Sequence, residues 1–422
     1  MNKNSLYFSF CIIKKIALGI LFLGLLGCDQ QQGLEIQLSN TLNQERPNGQ
    51  IIIMRDSIAK YDPQLTEGSF HIIDSQQEEV PFQLDDLDGD GQWDELALIY
   101  SLAANSSSSL FIKEQTDTST FKDRAQVWFA KRDSVSGTYN KLSFEVRPEW
   151  YQRIMTPPFY YQFEGPGWEN DKIGFRLYFD ERNGIDIWGK KTSDMVLQDI
   201  GIEGDYHSVA DWGMDILHVG NSLGAGSIAA KAGDQLYRLE ETSNEEFEEV
   251  ADGPVRAIFD LTYQGWRVDD KEYSIRQRIS IWAGANGYQN EISLIDSQDS
   301  LNVVAGLVTS KLQGEPVFSS DTSFKYITSY GKQSANDANL GMSIITRPDH
   351  FVDYSSINFT GAPIDSTAFL ELKLNGQQPV SYSFIVGWET GDPKFAESQG
   401  FEELVISVGK RMLKPVKVQF GN

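Results

Sequence analysis

Cysteine is nearly missing from this chain: 422 residues contain two, Cys11 and Cys28. Once the first is lost with the leader described below, no disulfide can form within the chain, and a thiol nucleophile has no candidate. Histidine is scarce, with four residues. Positive charge is short as well, since 36 Lys and Arg against 60 Asp and Glu leave a formal charge of −24 at pH 7. So acidic a surface excludes nucleic acid as a partner and excludes charge-driven adhesion to anionic lipid. It also offers no long-range attraction to a sulfated or uronate-bearing glycan, so any such ligand depends on local cations. No G-x-G-x-x-G or G-x-S-x-G occurs, and the Gly-rich 221–226 stretch lacks the Lys-Ser/Thr of a phosphate loop. No repeat of solenoid or propeller length is evident. No organic cofactor is therefore expected.

The N-terminus carries its own signal. Lys3, Lys14 and Lys15 lead into an apolar run over 16–26, too short to span a bilayer, and then Gly27-Cys28. Leu25-Leu26-Gly27-Cys28 resembles the bacterial lipobox. Residues 1–27 are thus expected to be a lipoprotein signal peptide, Cys28 the lipidated first residue of the mature chain, and 28–33 a tether. The protein is expected in the cell envelope, periplasmic or on the outer-membrane surface, anchored rather than spanning.

From Leu34 onward, period-two runs of β-formers are broken by Gly, Asn, Asp and Pro. Those at 51–54, 70–73, 96–100, 110–113, 127–130 and 142–146 predict a β-sandwich-like domain over 34–146, with a Ser-rich turn at 103–109 and a loop at 117–123. Further runs follow at 255–263, 273–282, 291–295, 303–309, 324–329, 342–346, 368–374 and 380–388. They predict a second, larger β-sandwich over 147–422. One helix is expected, at 400–414, with Phe401, Leu404, Val405, Val408 and Met412 as its apolar stripe. Lys410, Arg411 and Lys414 suit its C-terminal dipole.

Asp86-Leu-Asp88-Gly-Asp90-Gly-Gln92-Trp-Asp94 is the sharpest motif. Alternating Asp residues set hard oxygens on one side of a tight loop, Gly91 permits the turn, and the Gln92 carbonyl adds another oxygen. Ala97 occupies the twelfth position, where an EF-hand needs Glu, and the flanks are strand-like. A structural Ca2+ held by Asp86, Asp88, Asp90, Gln92 and Asp94 in a strand–loop–strand setting is the expectation; a solvated Asp/Gly turn is the alternative.

The stretch from 151 to 230 gathers aromatics, carboxylates and two histidines, as a sugar-binding cleft requires. Alternation over 172–179 sets Ile173, Phe175, Leu177 and Phe179 on one face and Arg176 and Tyr178 on the other. Over 185–190 it sets Asp186, Trp188 and Lys190 together. If these strands pair, Arg176, Tyr178, Asp186, Trp188 and Lys190 line one patch; an ordinary solvated sheet face is the alternative. His207, Asp211 and Trp212 lie in a non-periodic segment, followed by Asp215 and His218. The two histidines with Asp211 and Asp215 match no tight metal motif. Farther on, Arg276, Arg278 and Trp282 share a strand face.

Several blocks carry a family resemblance: Val80-Pro81-Phe-Gln83 running into Asp85–Leu96, then 161–168, 176–188 and 211–218. Together they are similar to a formerly unassigned family of lipoproteins from Bacteroidota polysaccharide-utilisation systems, over roughly 34–420. The resemblance implies dehydration of ulvan oligosaccharides, in which water leaves a non-reducing-end uronate to give a 4,5-unsaturated sugar. The runs Gly253-Pro254-Val255-Arg256 and Arg278–Trp282 also resemble galactose-mutarotase-like large sandwiches, so the implied fold is all-β. Such an elimination needs neutralisation of the uronate carboxylate, a base for the C5 proton and an acid for the departing hydroxyl. The expected assignments are Arg176 or Arg278 for neutralisation, His207 as base with His218 second, and Tyr178 or Tyr161 as acid. Trp188 and Trp212 are expected to stack on sugar, with Lys190 and Asp186 beside them. A polysaccharide lyase or glycoside hydrolase, and a non-catalytic glycan-binding lipoprotein, are the competing readings.

Overall fold

The computed structural model describes residues 33–116, 119–151, 158–202, 205–295, 299–319, 323–358 and 361–421. The expected leader, Cys28 and most of the expected tether lie outside the described residues. No helix among the described residues is long and apolar enough to cross a membrane.

The first part of the chain forms a small sandwich. One sheet runs Lys417–Phe420, Leu34–Asn40, Ser106–Glu114, Phe70–Asp74, and the other runs Arg46–Met54, Glu95–Leu102, Phe82–Asp85. Alternate residues Ile36, Leu38, Ile51, Ile53, Leu96, Leu98, Leu110 and Ile112 fill the space between them. The Ser-rich stretch is shorter as a turn than expected. Ser106 to Ser109 are strand residues paired with Asn40 to Gln37, so their backbone groups are satisfied in the ladder whatever the side chain.

The large sandwich sets a nine-stranded antiparallel sheet against two five-stranded sheets. The nine-stranded sheet contains the long hairpin Arg256–Val268 and Lys271–Trp282. One five-stranded sheet runs Gly213–Asp215, Ile185–Lys190, Ile173–Leu177, Gly167–Asn170, Ala125–Trp128; the other centres on Ser300–Val308. A single core of Trp168, Phe175, Ile187, Phe259, Tyr288, Val303, Phe384 and their neighbours joins all three sheets. Where the two five-stranded sheets meet, Gly224 bridges Ile185 at φ +66°, and a Cβ there would lie 2.2 Å from the Ile185 carbonyl oxygen.

Two strands expected in the first half, Ala125–Trp128 and Phe144–Val146, are bonded into sheets of the second, against Gly167–Asn170 and Asn244–Ala251. The all-β architecture, with a small sandwich, a large sandwich and a C-terminal helix, is otherwise as the sequence predicts. That helix, Ser398–Leu413, buries Phe401 and Val405 against Phe324, Ile345, Ile385 and Phe395. A five-residue helix, Arg55–Ala59, was not expected.

The outer face of the long hairpin is covered by the small sandwich. Trp282 packs with Ala97, Ile99, Val255 and Ala283. Arg256 reaches Asp85 and Glu95, both at 2.6 Å, and Gln83 accepts from the Val255 and Arg256 backbone N–H groups.

Candidate functional site

The strands Ile173–Leu177 and Ile185–Lys190 do pair, with Arg176 opposite Asp186 and Gly174 opposite Trp188. Gly213–Asp215 adds Asp215 opposite Trp188. This third strand approaches closely because Gly213, at φ +138°, has no Cβ; one there would sit 1.8 Å from the Gly189 carbonyl oxygen. The side chains of Phe175, Leu177, Ile185 and Ile187 enter the core, and Arg176, Tyr178, Asp186, Trp188 and Lys190 share the other face.

That second face is not a solvated patch. Residues 191–202 and 205–212 fold over it, and Trp188 is fully buried in a minor core with Phe163, Leu197 and Ile200, against which Trp212 and Tyr206 pack. Trp188 is thus unavailable as a sugar platform, and Trp212 is half-buried. Lys190 is buried too. Its amine bonds the Glu169 carboxylate and the carbonyls of Asn170 and Asp194, each at 2.7 Å for the carbonyls. Glu169 also accepts from the backbone N–H groups of Val196 and Leu197, at 2.6 and 2.8 Å. The pair therefore fastens the covering segment to the sheet, and Lys190 serves structure rather than substrate. Burial pulls the Lys190 pKa down, with Glu169 opposing.

Arg176 is the centre of what remains, with its side chain 2% exposed. It donates to Glu164 Oε2 at 2.8 Å, to Asp186 Oδ2 at 2.7 Å and to the Tyr178 hydroxyl at 3.0 Å; Asp215 Oδ2 lies 3.7 Å away. Tyr178 donates to Asp186 Oδ2 at 2.8 Å. One guanidinium thus faces three carboxyl groups. Burial opposes its charge, but Tyr178, Glu164, Asp186 and Asp215 outweigh that and hold its pKa above the ordinary arginine value. The Asp215 carboxyl is pushed well above the usual carboxylate range, first by burial and then by Asp186, to which it is hydrogen-bonded; Arg176 offsets this only in part. Burial and the neighbouring Asp186 carboxylate thus both favour the protonated form of Asp215.

His207 stands at the mouth of this cluster. Its side chain is 66% exposed, and Nδ1 lies 3.6 Å from Asp215 Oδ2. Its ring leans on Tyr206 at 4.4 Å between centroids, and the Tyr206 ring in turn lies 5.9 Å from the Arg176 guanidinium carbon. The Asp215 N–H donates to the Tyr206 carbonyl at 2.8 Å, which secures the loop over the cluster. Burial raises the Tyr206 pKa, with Arg176 opposing, so its hydroxyl keeps its proton. Glu164 is the other accessible group, its side chain 22% exposed. Tyr206 could not be singled out from sequence; its adjacency to His207 in a non-periodic loop was the available signal.

The remaining expected residues fall elsewhere. Tyr161 is buried and donates to Glu145 at 3.2 Å, so it cannot protonate a substrate. Tyr178 is buried beneath Arg182, whose guanidinium lies 3.7 Å from its ring centre. His218 is exposed, and among the described residues no ion pair or hydrogen bond ties it to the cluster. Arg278 lies on the opposite side of the sandwich. It clasps Asp260 with two bonds of 2.8 Å and donates to the Leu87 carbonyl at 3.1 Å, so it joins the hairpin to the Asp loop and cannot converge with His207.

In the Asp loop, carboxylate oxygens of Asp86, Asp88 and Asp94 lie within 4.8 Å of one another, the one such set of three among the described residues. These three fit a hard divalent cation. Asp90 differs from expectation: its carboxylate caps the Gln92 N–H at 2.7 Å instead of joining the set. Asp86 accepts from Gly91 and Gly89, at 2.8 and 2.7 Å. These bonds, from Gly91 foremost, hold its pKa below the usual value.

Comparison with known proteins fits this architecture. Over 270 residues the chain is 25% identical to "Uncharacterized protein P7" of Formosa agariphila, covering 60% of this chain and 66% of that one. A solved alpha-mannosidase from Enterococcus faecalis is 10% identical with a TM-score of 0.47, covering 93% of this chain and 46% of that one. A glycosyl hydrolase family 38 protein from the same organism, also 10% identical, has a TM-score of 0.51 and coverage of 93% and 48%. The chain thus spans about half the length of these solved proteins, and the likeness is one of fold. A family model matches residues 38–418, and the chain belongs to that family, described as Domain of unknown function (DUF4861).

Proposed function

We propose that this protein is a carbohydrate-active enzyme that dehydrates the non-reducing-end uronate of oligosaccharides, with ulvan fragments as the substrate class. The observation that carries the reading is the buried Arg176–Asp186–Asp215 cluster with exposed His207 against its one open side. In this reading His207 removes the C5 proton, positioned by Asp215. The released pair forms the C4–C5 double bond as the C4–O bond breaks, and the hydroxyl leaves as water with a proton from Tyr206. Negative charge building on the uronate carboxylate is offset by the field of the buried Arg176 guanidinium, which acts without touching substrate. Arg176 and Tyr178 act as positioning residues. The family resemblance and the fold likeness to a protein titled as a glycosyl hydrolase support a glycan substrate.

The test is to incubate the protein with ulvan oligosaccharides and follow both product mass and ultraviolet absorbance. Loss of one water with a rise in absorbance is expected. Cleavage into two unsaturated or saturated fragments would replace the reading with lysis or hydrolysis, and no change would leave glycan binding alone.

We further propose a structural Ca2+ on Asp86, Asp88 and Asp94, and anchorage in the cell envelope through acylated Cys28.

A further inference from the structure

All nine tryptophans are among the described residues, and Trp150 alone falls in the exposed class, at 62%. Its ring is nevertheless held. It meets Tyr160 edge-on at 4.9 Å and Tyr151 at 6.5 Å. Tyr160 in turn packs on Tyr161 at 4.7 Å. The Lys131 amine lies 5.3 Å from the Tyr160 ring centre and is itself fixed to Glu145 by bonds of 2.9 and 3.1 Å. The Tyr160 carbonyl accepts from the Arg132 N–H at 2.9 Å, so the backbone beneath the rings is tied to a strand. A surface ring fixed in this way presents a preset apolar face on which the C–H face of a sugar can lie.

The position matters as much as the rigidity. Four residues separate Tyr160 from Glu164, which bonds Arg176, and an extended segment of that length reaches at most about 14 Å. Tyr151, which supports Trp150 from below, has its hydroxyl in the field of Asp180, Glu164 and Arg182. The aromatic group therefore lies within reach of Glu164, the second accessible group of the acidic cluster.

We propose that Trp150, braced by Tyr151 and Tyr160, is a sugar-stacking platform for a pyranose ring farther along an oligosaccharide whose terminal residue sits at His207. The apolar C–H face of the ring lies on the indole, and the ring hydroxyls meet the partly exposed Lys131 amine. The inference rests on the oligosaccharide reading given above.

The test compares wild type, Trp150→Ala and Trp150→Phe on uronate-ended disaccharides, tetrasaccharides and hexasaccharides, reading kcat, KM and tryptophan fluorescence. For the longer substrates, Trp150→Ala should raise KM about ten-fold with kcat unchanged, as expected for lost uniform binding. The disaccharide should be unaffected, and Trp150→Phe should recover most of the loss. Wild-type fluorescence should shift with the longer sugars, and that shift should vanish in Trp150→Ala. Equal KM values for wild type and Trp150→Ala at every length overturn the platform while leaving the enzyme reading intact. Equal impairment at every length, or a fall in kcat, also overturns it by marking a structural role. Absence of both binding and turnover in the wild type defeats the oligosaccharide reading together with the platform.

Discussion

Two groups of aspartates in this protein are held in opposite ways. In the 86–94 loop the carboxylates accept backbone N–H groups a few residues away, and for Asp86 these bonds favour the ionised form. In the Arg176 cluster Asp186 and Asp215 are buried and arrive from two strands, and burial with mutual repulsion favours the protonated form of Asp215. The same side chain is thereby biased towards its ionised form at Asp86 and towards its protonated form at Asp215. Local sequence decides the first case and strand pairing the second.

The sharpest way to break this comparison is Arg176→Met. It leaves three carboxyl groups without their cation, and loss of one partner from a buried ion pair costs about 3–5 kcal/mol. Urea unfolding should show that loss, whereas Asp88→Asn in calcium-free buffer should change stability by under about 0.5 kcal/mol. Equal effects would mean the two clusters are not different in kind. Next in size, His207→Ala should lower kcat on uronate oligosaccharides by about 10²–10⁴-fold with an unchanged unfolding midpoint, because the side chain is exposed. Full activity in that variant removes His207 as the base.

Calcium sharpens the other side of the comparison. At a hundred-fold excess over Kd, bound Ca2+ should stabilise the fold by about 2.7 kcal/mol, seen as a higher thermal midpoint that Asp86→Ala abolishes. Asp90→Ala should retain that calcium effect, because Asp90 points to Gln92; its loss would restore the five-ligand set expected from sequence.

The smallest predicted effect is a slope. Asp215 binds its proton more tightly folded than unfolded, where the ordinary value is 3.8. The native state therefore holds more protons in the window upward from about pH 4, and stability falls as pH rises through the folded pKa. Asp215→Asn should flatten that fall in unfolding experiments across this range; an unaltered slope would show that Asp215 is not the group responsible.

What could be read in the sequence follows the same division. The Asp loop, the strand alternation of 172–190 and the C-terminal helix were legible because each is decided within a few residues. Alternation correctly put Arg176, Tyr178, Asp186, Trp188 and Lys190 on one face. It could not reveal that residues 191–202 and 205–212 cover that face, since the fastener is Glu169, a residue on another strand. Hence Trp188 and Lys190 read as exposed ligands but are buried, while Tyr206 gave no periodic signal. Arg278 failed for a related reason: its strand was identified, but the side of the sandwich it faces depends on how the small domain docks.

The pairing of Leu34–Asn40 with Lys417–Phe420 bears on synthesis. The strand that borders the first domain is made only after the large sandwich, so the small sandwich carries an unpaired edge until then. Contacts of such sequence separation slow folding and leave an open β-edge exposed to other chains. Shortening the chain by its final few residues would consequently be felt first in the domain made earliest, as aggregation during expression.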